Sequence, residues 1–285
     1  MNLPQSLSSI RTLVVHTGGI GDLLLLCPSL VRLNEDGPVH AAGIRSRLLV
    51  AEVAGLLEAA HDLDDTGFHS VFSTPSPTLE RFLHPFHRAV VWMKDDGAIR
   101  AALESCGVRD VLVFPGLPPG DWRRHASHYY ASCLGYEDLP PLRLPIAPGD
   151  HTHDVLIHPG SGGKHKNWPM DRYREVADAL ASQGRDVAWI AGPAEEDMEL
   201  PHSARVLRTA SLVTLARELT ATLLYIGNDS GITHLAAACG CPTIAIFGPT
   251  NPAVWAPLGD HVQALQGDPW PTVVEVVAVA SRYFS

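Results

Sequence analysis

Short runs of apolar residues, bounded by glycine and proline, alternate along this chain with longer segments whose apolar positions recur at helical spacing. That alternation predicts strand–helix–strand units. Runs that are apolar nearly throughout, such as Thr12–His16 (TLVVH), predict strands buried on both faces of a parallel sheet. The first half reads as strands at Thr12–His16, Val39–Gly43, 89–92 and 111–114, with helices over 23–33, 45–60 and 99–106. The second half reads as strands at 154–158, 186–190, 223–226 and Thr243–Phe247, with a helix over 170–183 that stops at Gly184. Between the halves, residues 139–149 carry four prolines, which no regular element accommodates. The expected fold class is therefore α/β, with one doubly wound parallel-sheet domain over residues 1–150 and another over 151–270. Ligands are expected at the carboxyl ends of the strands, in the crevice between the domains.

Composition narrows the function classes. Of 285 residues, 46% are hydrophobic and 18% charged, which suits a sizeable core and excludes a disordered chain. Lys plus Arg number 21 against 31 Asp plus Glu, and the split is even: 12 basic and 17 acidic residues up to position 150, then 9 and 14. Neither half is a basic module, so no nucleic-acid partner is expected, and membrane contact is expected to be peripheral at most. Five cysteines without a Cys-x-x-Cys pair suit a reducing compartment. The opening residues have no basic leader followed by a long apolar region, and no apolar run nears the roughly 18 residues of a membrane span. A cytoplasmic protein is the expectation.

Three glycine-containing junctions between a strand and a helix carry the candidate chemistry. The first, His16-Thr17-Gly18-Gly19-Ile20-Gly21-Asp22, fits G-x-G-x-x-G only through Gly19 and Gly21, because Leu24 stands where the third glycine belongs. A dinucleotide-linked oxidoreductase is thus disfavoured. Asp22 stands in the first turn of a helix, where it serves either the helix dipole or a reaction in the cleft. The second junction, Pro159-Gly160-Ser161-Gly162-Gly163-Lys164-His165-Lys166-Asn167-Trp168-Pro169, offers backbone amides, the Ser161 hydroxyl and two lysines to a phosphate, or else is a solvated surface loop. It is not a P-loop, because Gly163-Lys164 is followed by His165. The third, Gly227-Asn228-Asp229-Ser230-Gly231-Ile232-Thr233-His234, opens an alanine-rich helix as an anion-binding turn or as a simple N-cap. An acidic turn containing Glu195 and Glu196 suits ribose hydroxyls or the start of a helix. Fifteen histidines include the pairs His84/His87, His125/His128 and His151/His153, but none joins a recognised ligand pattern, and no metal is assigned.

Taken together, TGGIGDLLLLCPSL, IHPGSGGKHKNWPMDRY, AGPAEED and GNDSGITHLAAACGCPTIAIFGPTNPAVWAPLG resemble glycosyltransferase family 9, whose type members are ADP-heptose:lipopolysaccharide heptosyltransferases. The resemblance implies a GT-B fold, with two Rossmann-like domains facing a central cleft. It implies inverting transfer from a nucleotide-sugar donor, with ADP-heptose expected, to a saccharide or lipid-linked acceptor, with no cofactor required. By the same resemblance Asp22 is the base and Lys166 neutralises the departing diphosphate together with the Ser230 and Gly231 amides. Asp229 holds sugar hydroxyls, Glu195 or Glu196 the ribose, and His234 supports the turn. Gly19, Gly21, Ser161, Asn228, Gly248, Pro249 and Thr250 complete the donor pocket, and a helix within 271–285 is expected to return to the first domain. Two rival readings keep the same scaffold: a nucleotide-sugar hydrolase or epimerase, and a nucleotide-sugar-binding protein without catalysis.

Overall fold

The computed structural model describes residues 10–150, 153–192, 200 and 205–284. Eleven strands are arranged in two parallel sheets among these residues. The first sheet holds β1 (Thr12–His16), β2 (Val39–Gly43), β3 (Ala59–Asp62), β4 (Arg88–Trp92) and β5 (Asp110–Phe114), in the order β3-β2-β1-β4-β5. The second holds β6 (Val155–His158), β7 (Val187–Ala191), β8 (Arg205–Arg208), β9 (Leu224–Asn228), β10 (Thr243–Phe247) and β11 (Val262–Gln266), in the order β11-β10-β9-β6-β7-β8. In each sheet the order reverses at one point, between β1 and β4 and between β6 and β9, and the loops leaving those four strands open a crevice.

Among the described residues ten α-helices cover the sheets: α1 (Ile20–Asp36), α2 (Arg45–Val53), α3 (Pro77–Leu83), α4 (Ala98–Ser105), α5 (Ala126–Cys133), α6 (Met170–Ser182), α7 (Leu212–Thr220), α8 (Gly231–Ala238), α9 (Pro252–Trp255) and α10 (Val273–Ser281). The segment expected as one helix over 45–60 is instead α2 followed by β3. The chain reverses at Gly55, whose φ of +72° suits glycine and stops the helix before the alanine-rich run that becomes the strand.

The two domains are joined by more than a linker. Helix α1 buries Leu23, Leu24, Leu25 and Leu26 at once, because α5 and α8 pack against it in addition to its own sheet. One apolar cluster therefore runs from Leu24 and Leu25 of the first domain to Leu235 and Ala236 of the second. At the head of this contact Gly231 lies against Ile20 and the Gly21 backbone, where a Cβ would collide with the Ile20 side chain. Glycine is required here for close approach of two helix ends rather than for backbone conformation.

Helix α10 corrects the expectation of a return to the first domain. It packs on α6, and its buried Val276 and Ala280 join the cluster of Val155, Trp168 and Tyr173 in the second domain. The physical reason is its apolar face: Val276 and Ala280 are buried together with Tyr173, Val176 and Leu180 of α6 in one cluster.

Candidate active site

The sharp turn from β1 into α1 aims Asp22 into the crevice. The carboxylate Oδ2 accepts the Gly19 amide proton at 2.9 Å, so Asp22 fulfils a helix-terminus role as well as facing the cavity. A side chain at Gly18 would meet Asp22 Oδ2 and His16 Cε1 at 2.9 Å, which explains glycine at this point of the turn. Arg47 of α2 donates from Nη1 to the Gly18 carbonyl at 2.8 Å and lines the same cavity. Burial raises the Asp22 pKa above the ordinary carboxylate value, against the Gly19 amide, Lys166 and Arg47, which favour the ionised form, while Asp229 pushes it further up. His16 next to it is pushed down to about 4 by burial and by Arg47, and stays neutral at physiological pH.

The second domain supplies the facing wall. Lys166 ends a short 3-10 turn, Lys164–Lys166, and its Nζ lies 2.9 Å from Asp229 Oδ2. Both line the cavity; Asp229 is 8% exposed and Lys166 32%, so the lysine presents the larger surface to a ligand. Ser230 caps α8 through its hydroxyl, which accepts from the Thr233 amide, leaving the Gly231 and Ile232 amides at the helix mouth. Among the remaining helix-mouth residues, His234 is buried at the cavity wall, and burial lowers its pKa, against Asp229, which favours the charged form.

These parts enclose a cavity of about 740 Å³ between the domains, lined on one side by Gly19, Gly21, Asp22 and Arg47 and on the other by Ser161, Lys166, Asp229, Ser230, Gly231 and His234. Its far end is built from Ile190, Gly192, Thr209, Ala210, Ser211, Leu212 and Leu215. Gly192 belongs to the AGPAEED segment, while the Thr209–Leu215 part of that wall carries no recognisable motif, and with Ile190, Leu212 and Leu215 the wall is largely apolar. A second cavity of about 350 Å³, lined by Thr17, Gly18, Trp92, Met93, Lys94, Gly116 and Leu117, reaches Asp22 from the other side. Asp22 is thus the carboxylate shared by both spaces.

Four expected donor contacts are elsewhere. Asn228 is fully buried: its Oδ1 accepts from the Trp168 amide at 2.8 Å and the Tyr173 hydroxyl at 2.9 Å, and its Nδ2 donates to the Pro159 carbonyl at 2.7 Å. It latches both ends of the lysine loop and is not a ligand-facing group. Gly248 packs under the Trp270 ring, and Gly248, Pro249 and Thr250 are absent from the cavity wall because the turn after β10 folds toward Gln266, which donates to the Gly248 and Thr250 carbonyls. Glu195 and Glu196 lie outside the described residues. Ser161 reaches the cavity, but its hydroxyl also bridges to Gly163 and Asn167 and organises the loop.

Replacing Asn228 with Ala is expected to lower stability by roughly 3 kcal/mol, since three buried backbone or side-chain partners lose their bonds at once. Thermal or urea unfolding measures this. A change below about 0.5 kcal/mol would mean the latch contributes nothing.

Two parallel sheets facing a cleft, with a helix mouth on one side and a half-buried carboxylate on the other, have the architecture of the GT-B fold. Residues 139–277, just under half of the chain, match the model of "Glycosyltransferase family 9 (heptosyltransferase)". The chain is 33% identical over 126 residues to lipopolysaccharide heptosyltransferase 3 of Escherichia coli strain K12, a match that covers 41% of this chain and 37% of the relative. The chain therefore spans under half the length of the curated relative matched there. Against lipopolysaccharide heptosyltransferase 1 of Salmonella typhimurium the identity is 29%, over 90% of this chain and 93% of the relative. The solved structure of E. coli heptosyltransferase WaaC with ADP superimposes with a TM-score of 0.70 at 18% identity, covering 96% of this chain and all (100%) of that one, which establishes the shared GT-B fold. Among the described residues no helix is long and apolar enough to cross a membrane.

Proposed function

We propose that this protein is an inverting glycosyltransferase that moves a heptose, or a closely related sugar, from an ADP-sugar to a hydroxyl of a saccharide or lipid-linked acceptor. Assembly of the lipopolysaccharide core, on the cytoplasmic side, is the reading that the matched family supports. The observation that carries it is Asp22 facing the Lys166–Asp229 pair across one cavity while a second cavity approaches the same carboxylate from behind.

In this reading the diphosphate lies against Lys166 and the Gly231 and Ile232 amides, where the charge of the lysine and of the helix mouth meet it. Adenine takes the Ile190, Leu212 and Leu215 end, and Asp229 orients sugar hydroxyls. The acceptor enters through the second cavity. Its hydroxyl oxygen forms a bond to the anomeric carbon as the bond from that carbon to the β-phosphate oxygen breaks. The hydroxyl proton passes to Asp22, and ADP leaves with its new charge on Lys166 and the amides.

The test is incubation of the purified protein with ADP-heptose and a heptose-deficient core saccharide, followed by mass analysis. One added heptose per acceptor with stoichiometric ADP supports transfer. Donor consumption at the same rate without acceptor would indicate a hydrolase or epimerase instead, and ADP binding without product from any core saccharide would indicate a binding protein.

A further inference from the structure

His125 stands at the N-terminus of α5, and its two ring nitrogens serve different domains. Nδ1 accepts from the Ser127 amide at 3.4 Å and lies 2.8 Å from Ser127 Oγ, capping α5. With Nδ1 occupied as an acceptor, the ring proton sits on Nε2. Nε2 donates it to the carbonyl of Ala256 at 2.7 Å, 131 positions away in the second domain. The ring is neutral in this arrangement, in keeping with its burial, which lowers its pKa, and with His128 and His234 close by.

Ala256 follows directly on α9, and its neighbour Trp255 lines the main cavity. His234 of α8 lines the same cavity beside Trp255. On its own side His125 is braced by the Trp122 indole, which donates to the His125 carbonyl at 3.3 Å and packs edge-on against Tyr129.

We propose that His125 is a positioning residue which ties the first domain to the end of α9 and thereby fixes the Trp255 wall of the donor cavity. This rests on the reading of that cavity as an ADP site. A cross-domain bond so close to the ligand couples the angle between the domains to the shape of the pocket: opening the cleft moves Ala256 away from the ring, and a ligand seated against Trp255 favours the closed bond.

The two roles of His125 separate in two variants. Asparagine is among the strongest N-caps, so His125→Asn retains a cap for α5, but its shorter side chain cannot span to Ala256. His125→Ala loses both. With ADP as the probe in calorimetry, and thermal unfolding in parallel, H125N is expected to unfold within about 2 °C of the unmodified protein yet bind ADP about five-fold more weakly, the effect of one net hydrogen bond. H125A is expected to lose thermal stability as well. Unchanged ADP affinity in H125N would overturn the tie. Affinity lost only in H125A, along with stability, would reduce His125 to a helix cap. Failure of the unmodified protein to bind ADP would instead overturn the donor-site reading, and the inference with it.

Discussion

Transfer by the Asp22→Asn protein is expected to fall by roughly 10²–10⁴-fold, the range that a positioned general base contributes, with ADP affinity nearly unchanged. The substitution keeps the shape of the side chain. Its amide oxygen can still accept the Gly19 amide proton, so α1 retains its cap and the turn retains its geometry. What disappears is the group that takes the acceptor's proton. Because burial raises the Asp22 pKa and the base acts only when ionised, the rate of the unmodified enzyme should decline as pH falls through that raised value, earlier in an acid titration than an ordinary carboxylate near 4 would dictate.

Stability runs the opposite way. A carboxyl whose pKa is higher folded than unfolded binds more protons in the folded state between the two values, so stability rises as pH falls through that window, and the ionised Asp22 costs stability at neutral pH. Asparagine removes that cost. The D22N protein should therefore unfold at the same temperature as the unmodified protein or above it while transferring almost no sugar. Full transfer by D22N would remove Asp22 from the base role, and an active enzyme with an acid limb at or below the ordinary carboxylate range would contradict the burial argument.

Much of this arrangement was legible in the chain, and the misses have physical causes. Strands β1, β2 and β10 run between the residues that their apolar patterns indicate, because strands at or near the centre of a parallel sheet are apolar on both faces and stop abruptly at glycine or a polar turn. The edge strands β8 (RVLR) and β11 (VQALQ) are short and half-exposed, so their composition resembles that of loops. Asp22, Lys166 and Asp229 could be singled out because each sits in a turn leaving a strand, where ligands of this sheet type bind. Asn228 could not be sorted from them: its neighbours in sequence mark a helix cap, whereas its partners Trp168 and Tyr173 are 60 and 55 positions away. The pocket wall at Leu212 and Leu215 is assembled only by tertiary folding and carries no local signature.

Replacing Lys166 with Ala tests the other half of the site, and here two effects must be separated. Loss of the cation facing the diphosphate is expected to slow turnover by roughly 10²–10³-fold, comparable with removal of one preorganised group that stabilises developing charge. The same change strips Asp229 of its ammonium partner. Asp229 is 8% exposed, so an unpaired charge there is costly, but Lys166 is 32% exposed and water can partly replace it, which limits the loss of stability to roughly 1–2 kcal/mol. A double variant, Lys166→Ala with Asp229→Asn, removes both members of the pair and should recover most of the thermal stability. It should not recover turnover, because the diphosphate still lacks its cation. Recovery of both together would mean that Lys166 serves only to neutralise Asp229, and normal turnover in the single variant would transfer the leaving-group role entirely to the amides at the mouth of α8.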